Sequence, residues 1–444
     1  MFSAKIKMNI KKGLLTGASS AALLGALLPG IIDTAEASAP DIESEASITV
    51  DYETGQILQG EAVDEPLAIA SMTKMLAEYI VFEEIEVGNL AWDEEITISD
   101  YAYEISQDNL LSNVPLRAGD TYSLEELYEA MAIYSANGAT IAIAEHIEGS
   151  EPNFVDRMSE LVKSFGITDA QLYNATGLNN EDLNGNIYPG SSETDENTMS
   201  ARSSAIIANK LLTDYPEVLE VASVPRKTFR PETVDAIDMV NWNWMLEGLI
   251  AERPHVDGLK TGTTVQAGAT FTGTAEEDGR RLITVVLNSG DDKMTRFVET
   301  DKMLDFGFEK WEMENVTDQW KENFEYEPLA VTNGKEDIVD YEPSEALEML
   351  IQLDDTVEEE VSYSITWDPD IIDEEDGTIA APFEVGMEIG ELVVEYTGNE
   401  YGYLGDEQTS SVPLVTTAPV EKAGIFSQAW NWVLGIFDSF ASRF

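Results

Sequence analysis

The 444-residue chain contains no cysteine. That absence excludes disulfides, thiolate nucleophiles and cysteine-rich zinc sites together. Histidine is scarce, with only His146 and His255. Positive charge is in short supply as well: 25 lysines and arginines stand against 85 aspartates and glutamates, a formal net charge of −60. Such a surface repels phosphate, so nucleic acid is excluded as a partner. Disorder is not implied, because 43% of the residues are apolar. The acidity reads as adaptation to salty surroundings, where screening acts over ~8 Å at 0.15 M and ~3 Å at 1 M ionic strength. The length allows two or three domains and a sizeable core.

The first residues differ in composition. Lys5, Lys7, Lys11 and Lys12 precede an apolar run from Gly13 to Ile32, followed by small residues at Ala35, Ala37 and Ala39. A basic region, an apolar region and an A-x-A site in that order predict a secretory signal peptide over residues 1–37. An uncleaved anchor is the alternative, since the run nears the ~20 residues needed to span a bilayer. Pro29 and the A-x-A sites favour removal.

Further along, "SITVDYETGQILQG" (Ser47 to Gly60) predicts two strands around a turn. Helices are predicted over Ser71 to Ile85, Ser123 to Tyr134, Thr140 to Ile147 and Glu151 to Gly166, with Ser123 and Glu126 as a capping box. "RLITVVLNS" (Arg281 to Ser289) is β-prone, and Val298 to Trp311 reads as a helix closing a unit. "VSYSITW" and "ELVVEY" then suggest short strands between acidic turns, so a small β-rich domain is expected over 312–415. The tail, 423–444, places Ile425, Ala429, Trp432, Ile436 and Phe440 at helical spacing. It is expected to be an amphipathic helix lying on the membrane, the alternative being a helix docked on the protein's own core.

The chemistry rests on three short motifs. "SMTK" places Ser71 three residues before Lys74, one helical turn apart and on one face. A desolvated lysine, or one beside another cation, loses its proton near neutral pH and can then take the proton of a hydroxyl. Alone, the pair equally describes a helix cap. "SAN" follows at Ser135 to Asn137, and "KTG" at Lys260 to Gly262. S-x-x-K, S-x-N and K-T-G in this order are the signature of penicillin-binding proteins and serine β-lactamases.

Within that superfamily the chain resembles the D-alanyl-D-alanine carboxypeptidases, the low-molecular-weight penicillin-binding proteins. "IASMTKMLAEY", "YNATGL" (Tyr173 to Leu178), "DGLKTGTTVQAG" and "MTRFVETDKMLDFGF" carry the resemblance. It implies an α/β fold: a β-lactamase/transpeptidase-like catalytic domain over 40–311, with an antiparallel sheet flanked by helices, then the β-rich domain and the terminal amphipathic helix. It implies that Ser71 is the nucleophile, that Lys74 is the general base and that Ser135 relays a proton to the leaving amine. Asn137 would position the substrate amide and Lys74. Lys260 would supply positive potential, Thr261 would bind the terminal carboxylate, and Arg296 would attract that carboxylate. The N–H groups of Ser71 and Thr263 would form the oxyanion hole. No cofactor or metal is implied. The partners implied are the peptidoglycan stem peptide, β-lactam inhibitors and the outer face of the cytoplasmic membrane.

Thr263 stands where some members carry histidine, and "SAN" replaces the S-D-N of class A β-lactamases. Glu181 lacks the E-x-x-x-N spacing of the class A deacylation segment, while Glu193 and Asn197 have it; the carboxypeptidase-like segments quoted above favour a peptidase over a lactamase. A β-lactamase, a DD-endopeptidase and a non-enzymatic wall-binding protein are the alternatives. A Ser-His-Asp triad through His255 is unnecessary beside S-x-x-K. "NEDLNGN" (Asn180 to Asn186) imitates the start of a calcium loop, but Ser191 falls where that loop needs glutamate.

Overall fold

A computed structural model describes residues 39–424, apart from 319, 354–359, 374, 399 and 406–409. The signal-peptide stretch 1–37 and the tail from 425 onward lie outside the described residues.

Five antiparallel strands form the central sheet: β1 (Ala46–Asp51), β2 (Ile57–Glu61), β3 (Val256–Thr264), β4 (Gly268–Glu277) and β5 (Arg280–Leu287), in the order β2-β1-β5-β4-β3. The first hairpin turns at Glu53–Gly55, where Asp51 Oδ1 accepts from the Thr54 N–H at 3.0 Å. Strand β5 is apolar on successive residues because both faces of the sheet are covered. Ile283, Val285 and Leu287 join the core made with the helices, and Val286 packs with Met303 on the opposite face.

The described residues include the helices α1 (Lys74–Glu86), α2 (Asp100–Ser106), α3 (Leu124–Tyr134), α4 (Asn137–Glu148), α5 (Glu151–Ser164), α6 (Ala201–Asp214), α7 (Val218–Ala222) and α8 (Thr295–Glu309), of which α6, α7 and α8 pack on the sheet while α2 to α5 pack mainly on one another. Helix α6 contributes Ala205, Ala208 and Leu211 to the larger core, while Met303 belongs to α8. The sheet therefore lies between the two. The Ser123 and Glu126 capping box forms as the sequence indicates.

Several boundaries move. The segment expected to be one helix from Ser71 begins instead as a 3-10 turn, Ala70–Thr73, and α1 starts only at Lys74. Helix α4 begins at Asn137, not Thr140. Helix α8 ends at Glu309, and Trp311 opens a strand, Trp311–Asn315. After that point the described residues are mostly strands and turns. Glu388–Tyr396 pairs antiparallel with Val361–Trp367 and with Ser410–Thr416. Among the described residues no helix is long and apolar enough to cross a membrane.

Candidate active site

Ser71 sits in the 3-10 turn, and its hydroxyl does not cap a helix: neither the turn nor α1 has a side-chain cap bond. The hydroxyl instead meets Lys74 Nζ at 2.9 Å. Two glycines allow the rest of the site to close on this turn. A Cβ on Gly177, where φ is +76°, would come within 1.8 Å of the Ala70 carbonyl oxygen, and one on Gly262 within 2.6 Å of the Ile69 carbonyl oxygen.

Lys74 is fully buried. Besides Ser71, its amine contacts Asn137 Oδ1 at 2.9 Å and the Thr176 carbonyl at 2.7 Å. The Asn137 amide is oriented by its Nδ2, which donates to the Ser112 carbonyl at 3.1 Å, so its oxygen faces the lysine. Both partners are pure acceptors. A neutral amine has two N–H groups and one lone pair; with the N–H groups donated to these oxygens, the lone pair is left for the Ser71 hydroxyl. Burial drives the Lys74 pKa well below the usual lysine range, and the charge of Lys260 lowers it further. Glu78 and Glu151 oppose that shift.

Ser135 caps the end of α3 in the left-handed region, with φ of 58°. This is an uncommon conformation for a residue with a Cβ, of the kind that clusters at functional sites. Its Oγ accepts from Lys260 Nζ at 3.0 Å. Lys260 lies on β3, the edge strand of the sheet. Burial brings its pKa down to about 8, with Arg296 adding to the effect and Glu78 opposing it. Geometry divides the two lysines: Lys74 faces the Ser71 hydroxyl, while Lys260 faces Ser135.

The remaining residues complete a cleft of about 710 Å³ lined by Ser71, Ser135, Asn137, Thr261, Thr263 and Arg296, among others. Thr263 is exposed. Arg296, from α8, is 1% exposed and braces β3 from behind. Its Nη1 donates to the Gly262 carbonyl at 2.8 Å, Thr263 Oγ1 at 3.0 Å and the Thr270 carbonyl at 3.3 Å. Burial lowers its pKa to about 10. The structure thus brings all eight sequence-derived residues to one cleft or, for the two lysines, directly beneath its wall. The histidines stand apart: His146 pairs with Glu94 at 2.9 Å, and His255 is exposed on the turn before β3.

Sequence reasoning missed four contributors. Thr176 acts through its carbonyl, which no side-chain motif reports, although "YNATGL" marks the segment. Asn197 ties that segment to the nucleophile turn, donating to the Asn174 carbonyl at 2.8 Å and to Thr73 Oγ1 at 3.0 Å. Glu78 and Glu151 are buried carboxylates, 3% and 4% exposed. In a chain this acidic nothing in the sequence distinguishes them.

This geometry has counterparts in known proteins. The family model described as D-alanyl-D-alanine carboxypeptidase matches residues 33–291. D-alanyl-D-alanine carboxypeptidase DacC of Escherichia coli is 28% identical over 428 residues, 96% of each chain. DacF of Bacillus subtilis, of the same description, is 27% identical over 388 residues, 87% of this chain and 88% of that one. Among solved structures, a peptidoglycan synthesis regulatory factor (PBP3) from Streptococcus pneumoniae superposes with a TM-score of 0.66 at 35% identity, covering 86% of this chain and all of that one. Penicillin-binding protein 5 from Haemophilus influenzae gives a TM-score of 0.61 at 26% identity, covering 87% and 99%. The chain belongs to the D-alanyl-D-alanine carboxypeptidase family and is a serine-type carboxypeptidase.

Proposed function

We infer that this carboxypeptidase removes the terminal D-alanine of peptidoglycan stem peptides through an acyl-enzyme on Ser71. The observation that carries the assignment is the Lys74 amine, 2.9 Å from the Ser71 hydroxyl with its two other contacts taken by fixed acceptors. Ser71 Oγ attacks the carbonyl of the penultimate D-alanine while its proton passes to Lys74. The oxyanion is held by the N–H groups of Ser71 and Thr263. The C–N bond then breaks as Ser135, bonded to Lys260, gives its proton to the leaving nitrogen and takes in its place the proton that Lys74 removed from Ser71. Water then attacks the ester, losing a proton to Lys74, and the acyl–oxygen bond breaks as Lys74 returns that proton to Ser71 Oγ. Thr261, Thr263 Oγ1 and the charge of Arg296 lie where the terminal carboxylate would be recognised. Asn137 serves the substrate amide as well as Lys74.

β-Lactams enter the same cleft as substrate mimics. A penicillin-binding protein D2 from Listeria monocytogenes, 27% identical over 61% of this chain, has been solved with ampicillin bound. The leader-like residues 1–37 and the amphipathic pattern of 423–444 support action outside the cytoplasm at the membrane face, with the catalytic domain over 40–311 and the β-rich domain over 312–415.

The test uses a fluorescent penicillin and a D-Ala-D-Ala peptide in high salt. Stable labelling at Ser71 with D-alanine release is expected, and Ser71→Ala should lose roughly 10⁴-fold or more of that activity. Rapid penicillin turnover would make the protein a β-lactamase. No labelling of folded protein would leave a wall-binding role.

A further inference from the structure

A carboxylate buried away from water is costly unless it is well bonded. Glu151 is 4% exposed, and its hydrogen bonds lead to the catalytic centre. It is the first residue of the 14-residue helix α5, whose N-terminus favours an anion, and Ser150 caps that helix. One carboxylate oxygen, Oε1, accepts from the Ala175 N–H at 2.9 Å, and the other, Oε2, accepts from the Tyr101 hydroxyl on α2 at 2.7 Å. Ala175 directly precedes Thr176, whose carbonyl accepts from Lys74 Nζ at 2.7 Å.

The Asn174 to Gly177 turn is shaped in part by its own residues. Asn174 Oδ1 accepts from the N–H groups of Thr176 at 3.2 Å and Gly177 at 2.7 Å. Those bonds set the turn's shape. They do not set how far its carbonyl stands from Lys74, which requires an anchor outside the turn. Asn197 provides one toward the Ser71 side, and Glu151 provides the other, from α5.

We propose that Glu151 is a positioning residue for acylation: it holds the Thr176 carbonyl on one Lys74 N–H, so that the amine's lone pair faces the Ser71 hydroxyl. Without it the carbonyl drifts, and the amine turns among several partners. The substrate-binding wall formed by β3 is untouched, so binding survives while the chemical step slows. The inference rests on Lys74 being the base.

The groups facing Glu151 are Tyr101 from α2, Glu145 from α4 and Lys74 from α1. Burial pushes the Glu151 carboxyl up to about 7, so a neutral amide of the same shape is a fair substitute.

The experiment measures penicillin acylation of the full-length chain by stopped flow, separating non-covalent binding from the first-order acylation step. Glu151→Ala should slow acylation roughly 100-fold, as expected for a misplaced catalytic group. Its binding constant should stay within about two-fold of the parent, and every molecule should label at long times. Glu151→Gln should restore acylation to within about three-fold, since its carbonyl still accepts from Ala175 N–H. Acylation by Glu151→Ala within about two-fold of the parent would overturn the proposal. So would a Glu151→Ala protein that labels at the normal rate but in a smaller fraction of molecules, the mark of a purely structural role. If Glu151→Ala does not fold, a Gln variant slowed as much as roughly 100-fold overturns it too. Lys74→Ala separates the two readings: normal acylation there removes the base assignment itself, whereas an inactive Lys74→Ala beside an unaffected Glu151→Ala removes only this inference.

Discussion

Charge is treated differently before and after residue 311. Before it, the chain buries Asp51, Lys74, Glu78, Glu151, Glu196, Lys260, Arg296 and Glu299. After it, Thr416 is the one polar side chain buried among the described residues. Past a register shift between Glu388 and Gly390, the Glu388–Tyr396 strand there follows the simple rule of the half-buried sheet: Glu391 and Glu395 face water while Leu392, Val394 and Tyr396 face the core. The strand-rich part is thus organised for stability, and the cleft is not. Buried lysines and carboxylates weaken a fold unless each is bonded. Lys74, Glu78, Glu151 and Lys260 lie where proton transfer requires a low-dielectric surround, whereas Asp51 and Glu299 are each paired with a cation, Arg280 and Lys302.

The largest separation of the two parts is expected from Gly177→Ala. The new methyl must displace the Ala70 carbonyl, and a residue with a Cβ is strained at φ +76°. Acylation should fall by more than roughly 100-fold, with stability lowered by about 1–3 kcal/mol. Stopped-flow labelling and denaturant titration measure the two effects. A variant that acylates normally would show that the nucleophile turn has room to move. Leu392→Ala should do the reverse. Leu392 is fully buried in the Glu388–Tyr396 strand, so its truncation should cost about 2–5 kcal/mol. The acylation rate of the molecules still folded should not change. A slowed rate would mean that the strand-rich part tunes the cleft, and the contrast would fail.

The same divide explains what the sequence makes legible. Ser71, Lys74, Ser135, Asn137 and Lys260 are legible because proton transfer restricts residue type and spacing at once. The strands after residue 360 are legible because water on one face forces alternation. The 3-10 entry to α1 is not, since apolar periodicity runs through Ser71 without a break, and only the contact with Gly177 and Gly262 shows why the helix starts late. Nor are Thr176 and Glu151 legible, because a carbonyl has no letter and a buried glutamate has the same letter as an exposed one.

Glu78 offers a quieter test of the same contrast. It lies one turn beyond Lys74 on α1 and faces Lys74 and Lys260, with Tyr128 of α3 nearby. Burial raises its pKa to about 7, even with two lysines pulling the other way. Its ordinary value is near 4.5. Between those values the folded protein holds a proton that the unfolded chain has released, so this group's contribution to stability is full below about 4.5 and is lost as pH rises through about 7. Glu78→Gln lacks the titration. Relative to the parent it should gain on the order of 1–3 kcal/mol between pH 5 and pH 8. The measurement is the difference between the two proteins' unfolding free energies at each pH in constant high salt, which cancels the titration of the many surface carboxylates they share. A difference that does not change with pH would mean that the buried lysines hold Glu78 ionised throughout, and that the cleft balances its charges as fully as the strand-rich part avoids them.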